Sequence, residues 1–237
     1  MSRNECKFLL NYDQHRLLKN RFDLLFRQDR YAQKGLKAYP VLSAYFDTSD
    51  LDFFYQKING EFDHTKIRLR TYDRKFTAGA KVFLEAKLKW ADQQEKVRIS
   101  LDFEKNLLNP LKWYYLGRDK VMKLLQFFGD LEHICNVYYE RQAFEGMFET
   151  GMVRLNFDSN LLVLPKDQIG VEPGSLAEHR IIPHDHVVCE VKTDLGIMPE
   201  IIKEELRLVG ASQTRISKYA ESLLRMDRDG LYPEVSV

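Results

Sequence analysis

The sequence predicts an α+β protein: a long, mostly antiparallel sheet with helices around its periphery. Two observations lead there. Apolar and polar residues alternate with a period of two in about eight segments spread along the chain, and a period near 3.6 holds in four others. No internal repeat or low-complexity tract competes with this pattern.

Taken in order, the chain opens with a strand over Asn4 to Leu10. A helix follows over Asp13 to Lys34, where Leu17, Leu18, Phe22, Leu25 and Phe26 form one apolar stripe. Strands are expected at Val41 to Asp47, Lys66 to Arg74, Lys81 to Lys89 and Glu95 to Phe103, and a helix at Pro110 to Phe128. Strands return at Val137 to Phe144, Gly151 to Asp158 and His186 to Thr193. The chain then closes on helices at Pro199 to Val209, with Pro199 at its start and Gly210 just past its end, and at Ile216 to Met226. Leu164 to Pro183, with Pro173 and Gly174, is expected to be the longest loop, a surface connection within a single domain spanning residues 1–237.

The chain has 237 residues, 44% of them apolar and 12% aromatic, enough for a packed core. Thirty-six Lys and Arg stand against 35 Asp and Glu, so composition makes no case for a nucleic-acid or membrane binder, and a basic site must come from segregation of charge. Cys6, Cys135 and Cys189 are odd in number and far apart, which argues against a disulfide framework or a zinc site and for a reducing cytoplasm. MSRNECKFLL lacks a signal-peptide core, and no window approaches the roughly 18 apolar residues of a membrane span.

Segregation is what strand parity shows. Lys66, Arg68, Arg70 and Arg74 share one parity, as do Lys81, Glu85, Lys87 and Lys89 on the next strand. Lys96 and Arg98, Arg141 beside Tyr139, Arg154, and Lys192 with Glu190 extend the set. Cations outnumber acids on these faces although the whole chain is balanced. Like charges on adjacent strands repel, so an anionic ligand would offset them. If the sheet closes with this parity inward, it becomes a barrel with a basic lumen suited to a chain of phosphates. The apolar parity (Ile67, Leu69, Val82, Leu84, Leu88, Val97, Ile99, Val153, Leu155) would then lie outside, under the helices. The plainer alternative is a sandwich or open sheet whose cations face water.

The ordered set ECKF (Glu5 to Phe8), SAYFDTSDLDFF (Ser43 to Phe54), KIRLRTY (Lys66 to Tyr72), LEAKLK (Leu84 to Lys89), YYERQAFEG (Tyr138 to Gly146), VRLNFD (Val153 to Asp158), CEVK (Cys189 to Lys192) and RISKYAESL (Arg215 to Leu223) resembles the VTC domain. That is the polyphosphate polymerase domain of the vacuolar transporter chaperone family, a branch of the triphosphate tunnel metalloenzymes. The resemblance implies a closed antiparallel barrel whose basic tunnel binds ATP and inorganic polyphosphate with Mn²⁺ or Mg²⁺. It implies a catalytic set of Arg68, Arg70, Lys87, Arg141, Arg154 and Lys218, and a substrate-binding set of Lys7, Tyr139, Arg215, Ser217 and Lys96, or Arg98 two residues on as its equivalent, to which strand parity adds Lys192. Glu190 matches the metal-binding glutamate, with Glu5 and Glu85 as candidates to assist. The wider superfamily's opening E-x-E-x-K strand reads here as Arg3, Glu5, Lys7, which removes one carboxylate and favours the VTC branch over a two-metal hydrolase.

Phosphoryl transfer to a phosphate acceptor needs positioning and charge neutralisation more than a strong base, so the lack of a nucleophilic triad counts for little. Two alternatives stay open: a metal-dependent triphosphatase or polyphosphatase of the same superfamily, and a non-catalytic polyphosphate-binding protein. His184 and His186 share the parity of Glu190, but Pro183 and Asp185 mark a turn there, which argues against a transition-metal site. Tyr138, Trp90 and Trp113 are expected to pack rather than stack on a ligand. The expected setting is cytoplasmic, with no nucleic-acid partner. No SPX domain or membrane segment flanks the matched stretch, so export of polymer is expected to need a separate membrane partner.

Overall fold

The computed structural model describes residues 4–29, 37–90, 93–116, 130–171, 179–194 and 196–231, with isolated positions between 119 and 128. In chain order they form β1 (Asn4–Asn11), α1 (Tyr12–Phe22), β2 (Arg27–Gln28), β3 (Tyr39–Thr48), α2 (Asp52–Ile58), β4 (His64–Thr71), β5 (Lys81–Trp90) and β6 (Gln93–Asp102). Two 3₁₀ segments follow (Lys105–Leu108 and Pro110–Leu116), then β7 (Leu131–Phe148), β8 (Gly151–Pro165), β9 (His186–Thr193), α3 (Glu200–Leu208), β10 (Ser212–Thr214) and α4 (Lys218–Arg228). The protein is α+β, as expected, with an antiparallel sheet in the order β10-β1-β9-β8-β7-β3-β4-β5-β6 and β2 added on β7. Among the described residues this ladder is not seen to close on itself.

The chain forms two compact units, each drawn from three separate stretches. The first comprises Met1–Pro40, Tyr139–Leu161 and Ile182–Ile216. Here β9 lies between β1 and β8, and the apolar side chains of these strands (Phe8, Leu10, Val153, Leu155, Val187, Val191) pack with Leu18 and Phe22 of α1 and Ile202 and Leu206 of α3. Asn11 and Gln14 cap α1 reciprocally, each side chain bonding the other's backbone N–H at 2.9 Å. Gln14 Nε2 also donates to the Val209 and Gly210 carbonyls, both at 3.0 Å, and so ties α1 to the end of α3.

The helix expected to reach Lys34 stops at Phe22. Leu24 is solvent-exposed, Phe26 turns back onto Phe22 and Phe148, and Arg27 and Gln28 pair with Glu145 and Phe144 of β7. Strand pairing and aromatic packing there outweigh helix periodicity. Positions 30–34 of that expected helix lie outside the described residues.

The second unit comprises Val41–Tyr138, Leu162–Ile181 and Ser217–Val237. Strands β3 to β6 form a meander whose apolar face (Leu42, Ala44, Ile67, Leu69, Val82, Leu84, Leu88, Val97) is buried with Phe46, Phe53, Trp113 and Tyr138. Trp113 donates its indole N–H to the Leu107 carbonyl at 2.9 Å, and Tyr138 is buried in the same core, so both pack as expected. The segment expected as a helix from Pro110 is 3₁₀ over Pro110–Leu116, and most of its remainder lies outside the described residues.

Helix α2, which periodicity does not announce, is organised by a residue upstream of it. Its N-cap Leu51 has φ +58° and supplies no side-chain bond. Asp47 does so instead, accepting from the backbone N–H groups of Thr48 (2.8 Å), Phe53 (2.9 Å) and Phe54 (3.0 Å).

Candidate functional site

Among the described residues, each unit has glutamate set among cations on the polar face of its strands. In the first unit, the β1–β9 register sets Lys7 opposite Glu190 and Glu5 opposite Lys192, and the β8–β9 register sets Arg154 opposite Lys192. Glu190 is only 4% exposed, yet Lys192 Nζ lies at 3.0 Å, an Arg141 guanidinium nitrogen at 3.4 Å and Lys7 Nζ at 3.8 Å from its oxygens. Arg141 forks onto buried Asp158 with two bonds of 2.6 and 2.7 Å, and its guanidinium sits 5.1 Å from the Tyr139 ring centroid. Burial works against the charge of Arg141, but Asp158, Tyr139 and Glu190 outweigh it and hold its pKa well above the ordinary value. Lys7 Nζ also donates to the Ile216 carbonyl at 2.8 Å.

The second unit repeats the theme around Glu85. Arg68, Glu85 and Arg98 stand abreast on β4, β5 and β6. Arg68 reaches Glu85 at 2.8 Å, Arg98 at 3.2 Å and Arg70 at 3.7 Å. Arg70 is buried and donates to Ser43 Oγ at 3.2 Å, while Arg68 donates to Tyr45 Oη at 3.2 Å. Arg98 lies 4.1 Å from the Phe83 ring centroid and donates to Tyr72 Oη at 3.4 Å. Burial alone would raise the Glu85 carboxyl, but Arg68, Arg70 and Arg98 hold it below the ordinary glutamate value. Tyr72 follows the same logic: burial is outweighed by Arg70 and Arg98, and the phenol sits below its usual pKa.

Both arrangements follow from period-two strands in which every second residue is polar. Acid and base stand opposite one another across neighbouring strands, so the faces hold shape without ligand while keeping an excess of cation. Such faces suit a ligand with several negative charges. Residues 2–226 match the model of the VTC domain.

The chain belongs to the VTC-domain family. A comparison with curated proteins gave no match. Among its described residues the VTC domain has no helix long and apolar enough to cross a membrane.

Of the residues singled out by sequence, the fold gathers Glu5, Lys7, Tyr139, Arg141, Arg154, Glu190 and Lys192 on one unit, and Arg68, Arg70, Glu85, Lys87, Lys96 and Arg98 on the other. Arg215 is exposed just after β10. Ser217 is the N-cap of α4, its hydroxyl accepting from Ala220 N–H at 3.5 Å, and Lys218 opens that helix in a buried position. The side chain of Trp90 lies outside the described residues. His186, the first residue of β9, pairs with its neighbour Asp185 at 2.8 Å.

Sequence reasoning passed over Asp158, Asp47, Tyr45 and Tyr219. Tyr219 donates to Asp47 Oδ2 at 2.6 Å and stacks on Tyr45 with centroids 5.2 Å apart. The signal was present: Ser43, Tyr45 and Asp47 share one parity on β3, and Asp158 shares that of Arg154 on β8.

A divalent metal fits this donor set only together with phosphate. Among the described residues no three His, Cys, Asp or Glu side chains group to hold a metal by themselves. Glu5 and Glu190 flank the same two lysines, at 3.6 and 3.8 Å from Lys7 Nζ and 3.8 and 3.0 Å from Lys192 Nζ. One or two carboxylates completed by substrate oxygens is the ordinary environment of Mg²⁺ beside a polyphosphate. Glu85, whose oxygens are shared by three guanidinium groups, is a counter-ion in this arrangement.

Proposed function

We propose that this VTC domain is a metal-dependent polyphosphate polymerase, transferring the γ-phosphate of ATP to the end of an inorganic polyphosphate chain. The observation that supports it most is the pair of glutamate-centred cation clusters on the polar strand faces of a chain whose family includes polyphosphate polymerases. We take those faces as the lining of a closed tunnel, as the resemblance implies, and a reducing cytoplasm as the setting, in keeping with three free cysteines.

The terminal phosphate of the acceptor is largely ionised near neutral pH, so its oxygen attacks the γ-phosphorus without a strong base. The bond from that phosphorus to the β,γ-bridging oxygen breaks, ADP leaves with the electron pair, and the chain is one unit longer. Arg68, Arg70 and Arg141, held in place by Glu85 and Asp158, set guanidinium charge against the equatorial phosphate oxygens, while Lys7, Lys87, Lys192 and Arg154 place further charge along the chain. Tyr139 flanks the nucleotide, and Lys218 binds phosphate at the N-terminus of α4. Mn²⁺ or Mg²⁺, held by Glu190 with Glu5, would neutralise charge on the phosphates being exchanged.

Incubating purified protein with ATP and Mn²⁺ tests this. Long chains with stoichiometric ADP on a polyphosphate-stained gel support synthesis. Orthophosphate alone means a hydrolase, and intact ATP with metal-independent polyphosphate binding means a binding protein.

A further inference from the structure

Strand β3 carries Ser43, Tyr45 and Asp47 on one parity, and each meets a different part of the proposed phosphate-binding set. The β3–β4 register puts Ser43 opposite Arg70 and Tyr45 opposite Arg68. Ser43 Oγ accepts from Arg70 Nε, and Tyr45 Oη from Arg68 Nη1, both at 3.2 Å. Asp47, buried near the end of the same strand, accepts the 2.6 Å bond of Tyr219, the residue after Lys218. Glu85 holds the two arginines from β5, so they are fixed from both neighbouring strands.

Tyr45 and Tyr219 also meet each other. Their rings stack with centroids 5.2 Å apart, and both are buried. A continuous path therefore runs from Asp47 through Tyr219 and Tyr45 to Arg68, joining the first turn of α4 to the arginine row. Each end of the path is itself held. Asp47 also accepts from backbone N–H groups at the start of α2, which packs against α4, and Arg68 is paired with Glu85 at 2.8 Å. Phenylalanine at either position would fill the same volume, so the hydroxyls, each aimed at a held charged group, are what packing alone does not explain. Buried rings bonded at their tips have little rotamer freedom, and their stacking fixes the spacing between Lys218 and Arg68. Transfer chemistry is sensitive to such spacing, since a misplacement of about 1 Å can cost about a hundredfold.

We propose that Tyr45 and Tyr219, anchored by Asp47, are positioning residues for phosphoryl transfer, holding Lys218 at the start of α4 in register with Arg68 on β4. They act through those two cations and not on the phosphates themselves. This rests on the polymerase reading, in which Lys218 and Arg68 meet phosphate. Binding draws on many cations, whereas transfer needs these two at one spacing, so loss of register lowers kcat more than it weakens binding.

The test uses the full chain, with ATP, Mn²⁺ and a polyphosphate primer for turnover and inorganic triphosphate for binding, at a temperature where melting curves show each variant folded. Tyr45→Phe and Tyr219→Phe each remove one hydroxyl and keep the stack. Each should lower kcat about tenfold, while KM for ATP and triphosphate affinity stay within about twofold of the parent. The double variant should lose less than the product of the two single losses, because both interrupt one path. If Tyr219→Phe folds poorly, Tyr45→Phe reads the other end of the path by itself. Unchanged kcat with a lowered melting temperature overturns the proposal and leaves the rings as packing, and equal losses of kcat and triphosphate affinity overturn it in favour of direct contact with the ligand. Single losses that multiply in the double variant overturn the shared path. A parent that releases only orthophosphate overturns the polymerase reading alone, and the variants are then judged on that turnover; a parent that leaves ATP intact overturns both.

Discussion

Tyr219 of α4 donates a 2.6 Å hydrogen bond to Asp47 at the end of β3, on a carboxylate that also gathers three backbone N–H groups around the start of α2. One buried side chain thus fastens two helices to a strand. Tyr219→Phe should cost about 1–2 kcal/mol and Asp47→Ala about 2–4 kcal/mol in denaturant unfolding, since the latter strands several buried donors. Burial pushes the Asp47 carboxyl up to about 6 against the pull of its donors. A raised folded pKa gives stability that is full below the unfolded value of 3.8 and is lost as pH rises through about 6. Asp47→Ala should therefore lack that decline between about pH 4 and 6.

Glu85 should behave with the opposite sign. Its folded pKa is depressed by three arginines, so its contribution is present above the ordinary glutamate range and is lost as pH falls through the folded value. Thermal melting of Glu85→Gln across acid pH should show a flatter acid limb than the parent. Near neutral pH the variant should melt lower in dilute buffer and recover with added triphosphate, which replaces the missing counter-ion.

Arg70 and Arg154 should separate packing from chemistry. Parity alone treats both as ligand-facing arginines whose loss leaves the fold intact. Arg70, however, is only 6% exposed and bonded to Ser43, whereas Arg154 is exposed. Arg70→Ala should lose activity together with about 1–2 kcal/mol of stability, while Arg154→Ala should lose at least tenfold in turnover with stability changed by less than about 0.5 kcal/mol.

Strand positions and the sign of their polar faces were legible because half-buried strands keep a strict period of two, and His186–Thr193 matches its expected limits. Strands β7 and β8 run longer than alternation suggests for a physical reason. Residues from Ile134 to Tyr139 and from Leu161 to Leu164 are buried in succession, so both faces are covered and the period vanishes. At Asn160, with φ +51°, alternation breaks within β8. The counter-ions Asp158 and Glu85 escaped notice as partners because sequence gives parity but not cross-strand register, and register decides which acid meets which arginine.

Glu190→Gln and Lys218→Ala should separate catalysis from binding. Removing the glutamate charge relieves Lys7 and Lys192 of their shared carboxylate, while Arg141 stays on Asp158, so polyphosphate affinity should hold or rise while metal-dependent turnover disappears. Lys218→Ala should weaken triphosphate binding and slow transfer together. Filter binding beside a turnover assay checks both: full metal-dependent activity in Glu190→Gln would move the metal elsewhere, and an unchanged Lys218→Ala would leave Ser217 and Lys218 as a helix start only.

Because each unit is stitched from three stretches of chain, neither can be finished early in synthesis. Strand β1 waits for β9, as Lys7 pairs with Glu190, and α2's anchor Asp47 waits for Tyr219. Contacts this distant in sequence make for slow folding, and β1 emerges from the ribosome long before its partner. A nascent chain must therefore keep the apolar side of β1, with Phe8 and Leu10, from pairing wrongly until residues near 190 have been made. The charges on its other side, Glu5 and Lys7, serve that interval as well as the finished site, since alternating charge on an unpaired strand discourages edge-to-edge association.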